Sequence, residues 1–141
     1  MKEQKEGYLT LHSKKSKEFT IKIPIKTYSK SNTSEHWAQA SKRAKHQKDI
    51  VKLSLLTQKK PELPCEIVIT RIAPRSLDKD NLGGALKTII DTVCDWLIPG
   101  LAPGRADGDK RIKIDFDQKK GDVKEYAVEV MFRHLEISTK D

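Results

Sequence analysis

The run Cys65-Glu66-Ile67-Val68-Ile69-Thr70-Arg71-Ile72 holds the longest unbroken β-branched stretch of the chain, Ile67 to Thr70, and a segment of helical periodicity stands on each side of it. Such density suits a central strand. Upstream, Phe19, Ile21, Ile23 and Ile25 alternate with polar residues, which predicts a half-buried strand. Pro24 makes it an edge strand or ends its pairing there. Residues 28–34 read as a loop in which Thr33 or Ser34 caps a helix over about 35–57. That helix places Trp37, Ala40, Ala44, Val51 and Leu55 on one stripe. After the central strand a second helix runs from about Asn81 or Gly84 to Leu97, burying Leu82, Leu86, Ile89, Ile90, Val93 and Leu97. Strands over 111–117 and 123–133 follow, with the polarity and glycine of a hairpin loop between them. The order β-α-β-α-β-β predicts an α+β fold: a mixed sheet of about four strands with two helices packed on one face.

A chain of 141 residues fits one domain. Residues 1–17 are too polar to bury themselves and predict a flexible basic arm; 18–135 form the domain and 136–141 a tail. The formal charge is +8, and the basic excess lies in the first 62 residues, with 15 lysines and arginines against 6 acids. That excess favours a phosphate-rich partner. Cys65 and Cys94, both in apolar surroundings, predict reduced core thiols. No apolar run approaches the roughly 18 residues of a membrane span, and the first seven residues lack the core of a secretory signal. The expectation is a cytoplasmic protein without membrane association.

The chemistry concentrates after the central strand, in Ser76-Leu77-Asp78-Lys79-Asp80-Asn81-Leu82. Two carboxylates one residue apart at a strand's end can converge on a hard divalent cation, and Asp107-Gly108-Asp109 supplies further acids at another loop-to-strand junction. With no soft ligand among them, the set suits Mg²⁺ or Mn²⁺. Helix capping by Asp80 and a plain turn at 107–109 are the structural alternatives. On a regular helix Lys87 and Asp91 each fall within about 20° of Asp80, while Asp91 lies about 16 Å further along the axis. Asp91 is therefore placed to orient Lys87, and Lys87 to offer positive charge to a phosphate. Arg75 and Lys79 flank the pair, and Lys42, Arg43, Lys45 and Lys48 on the first helix are candidate phosphate contacts. Lys48 projects near the apolar stripe, where it either reaches past the core to water or points at a phosphate. Trp37 reads most simply as core. Metal, lysine and a basic surface together suggest a nuclease.

With those residues assembled, the chain resembles the RusA family of Holliday-junction resolvases. The specific piece is Asp78-Lys79-Asp80-Asn81-Leu82-Gly83-Gly84-Ala85-Leu86-Lys87-Thr88-Ile89-Ile90-Asp91 followed by Asp107-Gly108-Asp109-Lys110-Arg111-Ile112. It is similar to the family's D-x-D-N-L, lysine, aspartate and acidic-turn pattern, with a short Gly-Gly insertion before the lysine. The resemblance implies that Asp78, Asp80 and Asp107 are metal-binding catalytic carboxylates and Lys87 the catalytic lysine. It further implies a homodimer that resolves four-way DNA junctions by paired symmetric nicks in recombination or repair. Many members carry two adjacent aspartates in the downstream turn; here Ala106 holds the first place, so Asp107 matches the second and Asp109 is a rival ligand. A flap or branched-DNA nuclease using the same carboxylates, and a non-catalytic basic nucleic-acid-binding protein, are the alternative functions.

Overall fold

Four strands make one mixed sheet in the order β1-β4-β2-β3. The computed structural model describes residues 18–28, 37–101 and 104–135. The expected arm at 1–17, the tail at 136–141 and the capping residues Thr33 and Ser34 lie outside the described residues. The elements are β1 (Glu18–Ile23), α1 (Trp37–Leu56), β2 (Cys65–Ala73), α2 (Lys79–Leu97), a single 3₁₀ turn (Ala106–Gly108), β3 (Ile112–Lys120) and β4 (Ala127–His134). This is the α+β arrangement that the periodicities predict.

β2 pairs with β3 in parallel and with β4 antiparallel, and β4 pairs antiparallel with β1. Hence β1, β2 and β3 share one direction, each joined to the next through a helix, and β4 runs against them between β1 and β2. Alternation then decides the faces. Cys65, Ile67 and Ile69 of β2 are buried, as are Val128, Val130 and Phe132 beside them on β4. Leu86, Ile89 and Val93 of α2 and Val51 and Leu55 of α1 complete the same core cluster, so both helices cover one face. Each fully buried aliphatic or phenyl side chain stabilises the fold by about 1.5–3 kcal/mol. Phe132 sits at the centre, stacked on Phe19 with centroids 5.0 Å apart and met edge-on by Trp96 at 5.7 Å.

Two expectations fail. The strands β3 and β4 do not form a hairpin, because β2 lies between them and residues 121–126 cross over its end. The crossing is tight: Gly121 donates its amide to the Ala73 carbonyl at 2.8 Å, and a Cβ there would stand 2.9 Å from Ile72 Cγ2 and from Glu125 Oε1. The glycine and polar residues that resemble a hairpin turn therefore serve a crossing. Trp37 is not core either. It opens α1 with 75% of its surface exposed, ahead of the turns that reach the sheet through Gln47, Val51 and Leu55. Pro24, by contrast, follows the last residue of β1, which is the edge strand.

Candidate functional site

The loop from Pro74 to Asp78 joins the C-terminal end of β2 to the start of α2, and two inward-facing polar side chains hold it. Arg71 of β2 and Gln118 of β3 are register partners on adjacent parallel strands. Arg71 Nη1 donates to the Arg75 carbonyl at 2.7 Å, and Gln118 grips Leu77 at both ends, accepting from its amide at 2.9 Å and donating to its carbonyl at 2.6 Å. The loop is thus tied at its beginning and end. Sequence reasoning misses both tethers, although each is marked by a polar residue where the alternating pattern of its strand calls for an apolar one. Mouths of this kind, beyond the carboxyl ends of parallel strands, are where α/β folds gather ligands.

Asp78 caps α2, its Oδ1 accepting the Asn81 amide at 3.0 Å. The helix starts at Lys79, earlier than its hydrophobic pattern predicts, and the cap falls to Asp78 instead of Asp80. Capping fixes one carboxylate oxygen and leaves Oδ2 without a hydrogen bond among the described residues. Asp80, in the first turn, is exposed and makes no hydrogen bond or ion pair among the described residues. Lys79 and Arg75 are exposed beside it, and Asn81 is half-buried. The glycines do not interrupt the helix; the Phe116 ring lies over Gly83, 3.5 Å from where a Cβ would stand.

Two turns further along, Lys87 Nζ lies 3.1 Å from Asp91 Oδ1 and 3.6 Å from Asp107 Oδ2. The hydrogen bond to Asp91 is the main cause that raises the Lys87 pKa, with both carboxylates adding their charge, so the ammonium is fully protonated at neutral pH. The 3₁₀ turn that carries Asp107 is brought to α2 by the preceding loop. There Gly104, at a φ of 79° that only glycine adopts easily, donates its amide to the Asp95 carboxylate. Ala106 is fully buried. Asp109 points elsewhere: both its oxygens meet Arg111 at 2.9 Å, and those side-chain hydrogen bonds, followed by one from the Arg111 amide, hold its carboxyl down to about 2. Asp107 and Asp109, rivals in sequence, are therefore separated by partner, and Asp107 alone joins the lysine.

The structure brings together Lys87, Asp91 and Asp107, and sets Asp78 and Asp80 at the head of the same helix. It does not gather all the acids: among the described residues no group of three or more His, Cys, Asp or Glu side chains is placed to hold a metal ion. The donor chemistry still suits Mg²⁺ or Mn²⁺ at an open site, because Mg²⁺ ordinarily takes one or two carboxylates and completes its shell with water and substrate phosphate. Asp80 and the Asp78 oxygen not engaged in capping are two carboxylate groups of that chemistry at the head of α2. Lys42, Lys45 and Lys48 are exposed on α1, and Arg43 is half-buried with its guanidinium 4.0 Å from the Tyr28 ring centroid. Among the described residues no helix is long and apolar enough to cross a membrane. No protein-family model matches the chain, and no curated protein matches it.

Proposed function

We propose that this chain is a Mg²⁺-dependent, structure-selective DNA endonuclease of the RusA type that acts as a homodimer on four-way junctions. The observation that carries the reading is the row on α2: exposed Asp80, without a hydrogen bond or ion pair among the described residues, then Lys87 held by Asp91 and Asp107, beside a helix rich in exposed lysine. In a chain of formal charge +8, carboxylates left open on the surface have a use if a polyanion is drawn to them by the surrounding cations.

The residues divide the work by chemistry. Asp78 and Asp80 would hold the metal, which when bound supplies an acidified water and charge neutralisation on the phosphodiester. Asp91 fixes the Lys87 ammonium by a hydrogen bond on the same helix, so that Lys87 can donate to a phosphate oxygen whose charge grows during attack. Asp107 holds the ammonium from the other side. Gln118 and Arg71 keep the Asp78 loop in place before substrate arrives, and Lys42, Lys45 and Lys48 contact backbone phosphates without reading sequence.

The observation favouring a non-catalytic DNA-binding protein is that Lys87 already neutralises Asp107, leaving two acids instead of three. The readings separate when purified protein is given a synthetic four-way junction, a flap and a linear duplex, with Mg²⁺ and with chelator. The nuclease reading predicts paired symmetric nicks in the junction only when Mg²⁺ is present. Preferential cutting of the flap would move the assignment to a flap nuclease, and binding without cutting under every condition would favour the binding protein.

A further inference from the structure

Four basic side chains with described partners are neutralised by carboxylates: Lys22 by Glu125, Lys87 by Asp91 and Asp107, Arg111 by Asp109, and Arg133 by Glu66. Arg71 and Lys26 are held differently. Arg71 is 7% exposed, and its described hydrogen bonds go to neutral oxygens, Nε to Thr27 Oγ1 at 2.8 Å and Nη1 to the Arg75 carbonyl at 2.7 Å. Neither contact cancels its charge, and Nη2 has no hydrogen bond among the described residues. Lys26 Nζ stands 4.6 Å from the Tyr126 ring centroid and 5.5 Å from that of Tyr28, with no carboxylate within ion-pair distance among the described residues. A ring face orients an ammonium while leaving its charge intact. The segment carrying Lys26 is itself fixed, because the buried Gln47 of α1 donates to the Lys26 carbonyl at 2.9 Å and Thr27 takes the Arg71 bond.

A guanidinium largely withdrawn from water, with Nη2 still open to solvent and no counter-charge, gains from an anion that completes it. This one lies at the mouth of the parallel strands, at the start of the loop that ends in Asp78. We propose that Arg71 and Lys26, framed by Tyr28 and Tyr126, form a binding site for a backbone phosphate of a nucleic-acid strand, distinct from the Asp80–Lys87 row. The site rests on the reading of the ligand as nucleic acid but requires no hydrolysis. It anchors the strand at the loop that leads to Asp78 with a preorganised guanidinium and a point charge, the pairing that suits a phosphate.

The test is the salt dependence of binding to a labelled four-way junction, followed by fluorescence anisotropy in chelator so that nothing is cut. Lys26→Gln and Lys22→Gln each remove one positive charge a few residues apart on the same segment, and Lys22 is the control because Glu125 already neutralises it. One phosphate contact contributes about 0.9 to the slope of log K against log salt on duplex DNA and about 0.7 on a single strand. The slope is expected to fall by that amount in Lys26→Gln and to stay at the wild-type value in Lys22→Gln. Arg71→Lys, which keeps the charge but loses the fork, is expected to weaken binding with a smaller change of slope; because Arg71 also ties the loop, Lys26→Gln decides. Equal loss in the two lysine variants, or none in either, would overturn the site. A slope difference in a protein that never cuts would leave the phosphate site standing and remove the nuclease reading alone.

Discussion

Lys87 is the residue at which the account is most exposed to test. Its ammonium touches two carboxylates, so replacing it by methionine removes the charge proposed to meet phosphate and leaves Asp91 and Asp107 without their cation. Lys87→Met is expected to lower the junction-cleavage rate by about 10²–10³-fold, the usual effect of deleting one preorganised donor, with junction affinity changed far less. Single-turnover rates beside binding isotherms check it. The two thiols offer a test of the core instead. Burial pushes Cys65 up to about 11 and Cys94 up to about 12, the latter with help from the Asp107, Asp91 and Asp95 charges. Since the thiolate is the reactive form, neither cysteine is expected to react with a thiol reagent at pH 8 in the folded protein, and both are expected to react after denaturation. At this scale much was legible. Asp78, Asp80, Lys87 and Asp91 announce themselves by spacing along one helix. Asp107 was singled out over Asp109 only by its match to the acidic-turn pattern; the physical difference between them, Arg111 claiming Asp109 while Asp107 meets Lys87, was not legible.

Among the elements, those with long-range apolar periodicity were legible and those decided by neighbours were not. β2, α2 and the edge position of β1 follow from β-branched density, a 3.6-residue stripe and Pro24. The relation of β3 to β4 does not follow, since a polar glycine-bearing segment looks alike whether it turns back on itself or crosses a third strand. Trp37 misled for a related reason: it lies on the stripe of α1, yet the stripe reaches the sheet only further along the helix. The crossing yields a stability prediction. Gly121→Val would drive side-chain carbons against Ile72 and displace the Glu125 carboxylate from the Asp122 amide. Overpacking of this kind costs about 1–3 kcal/mol, and the loss is measured by urea titration. Unchanged stability would contradict a close crossing of residues 121–126 over the end of β2.

Across the whole molecule, the proposed function rests on a division of charge: open carboxylates on α2, exposed lysines on α1, and Arg71 with Lys26 at the strand mouth. No single strand or helix contains that arrangement. It arises because α1 and α2 lie on one face of the sheet while the loop after β2, tied by Arg71 and Gln118, leads into Asp78 at the head of α2. The most direct measurement compares wild type with Asp80→Asn on a four-way junction, reading cleavage in Mg²⁺ and affinity in chelator. The account predicts symmetric nicking by wild type, none by the variant, and junction affinity in the variant equal to or tighter than wild type, because one carboxylate no longer repels phosphate. Absence of Mg²⁺-dependent cleavage by wild type, or a variant that cuts as well as wild type, would contradict it.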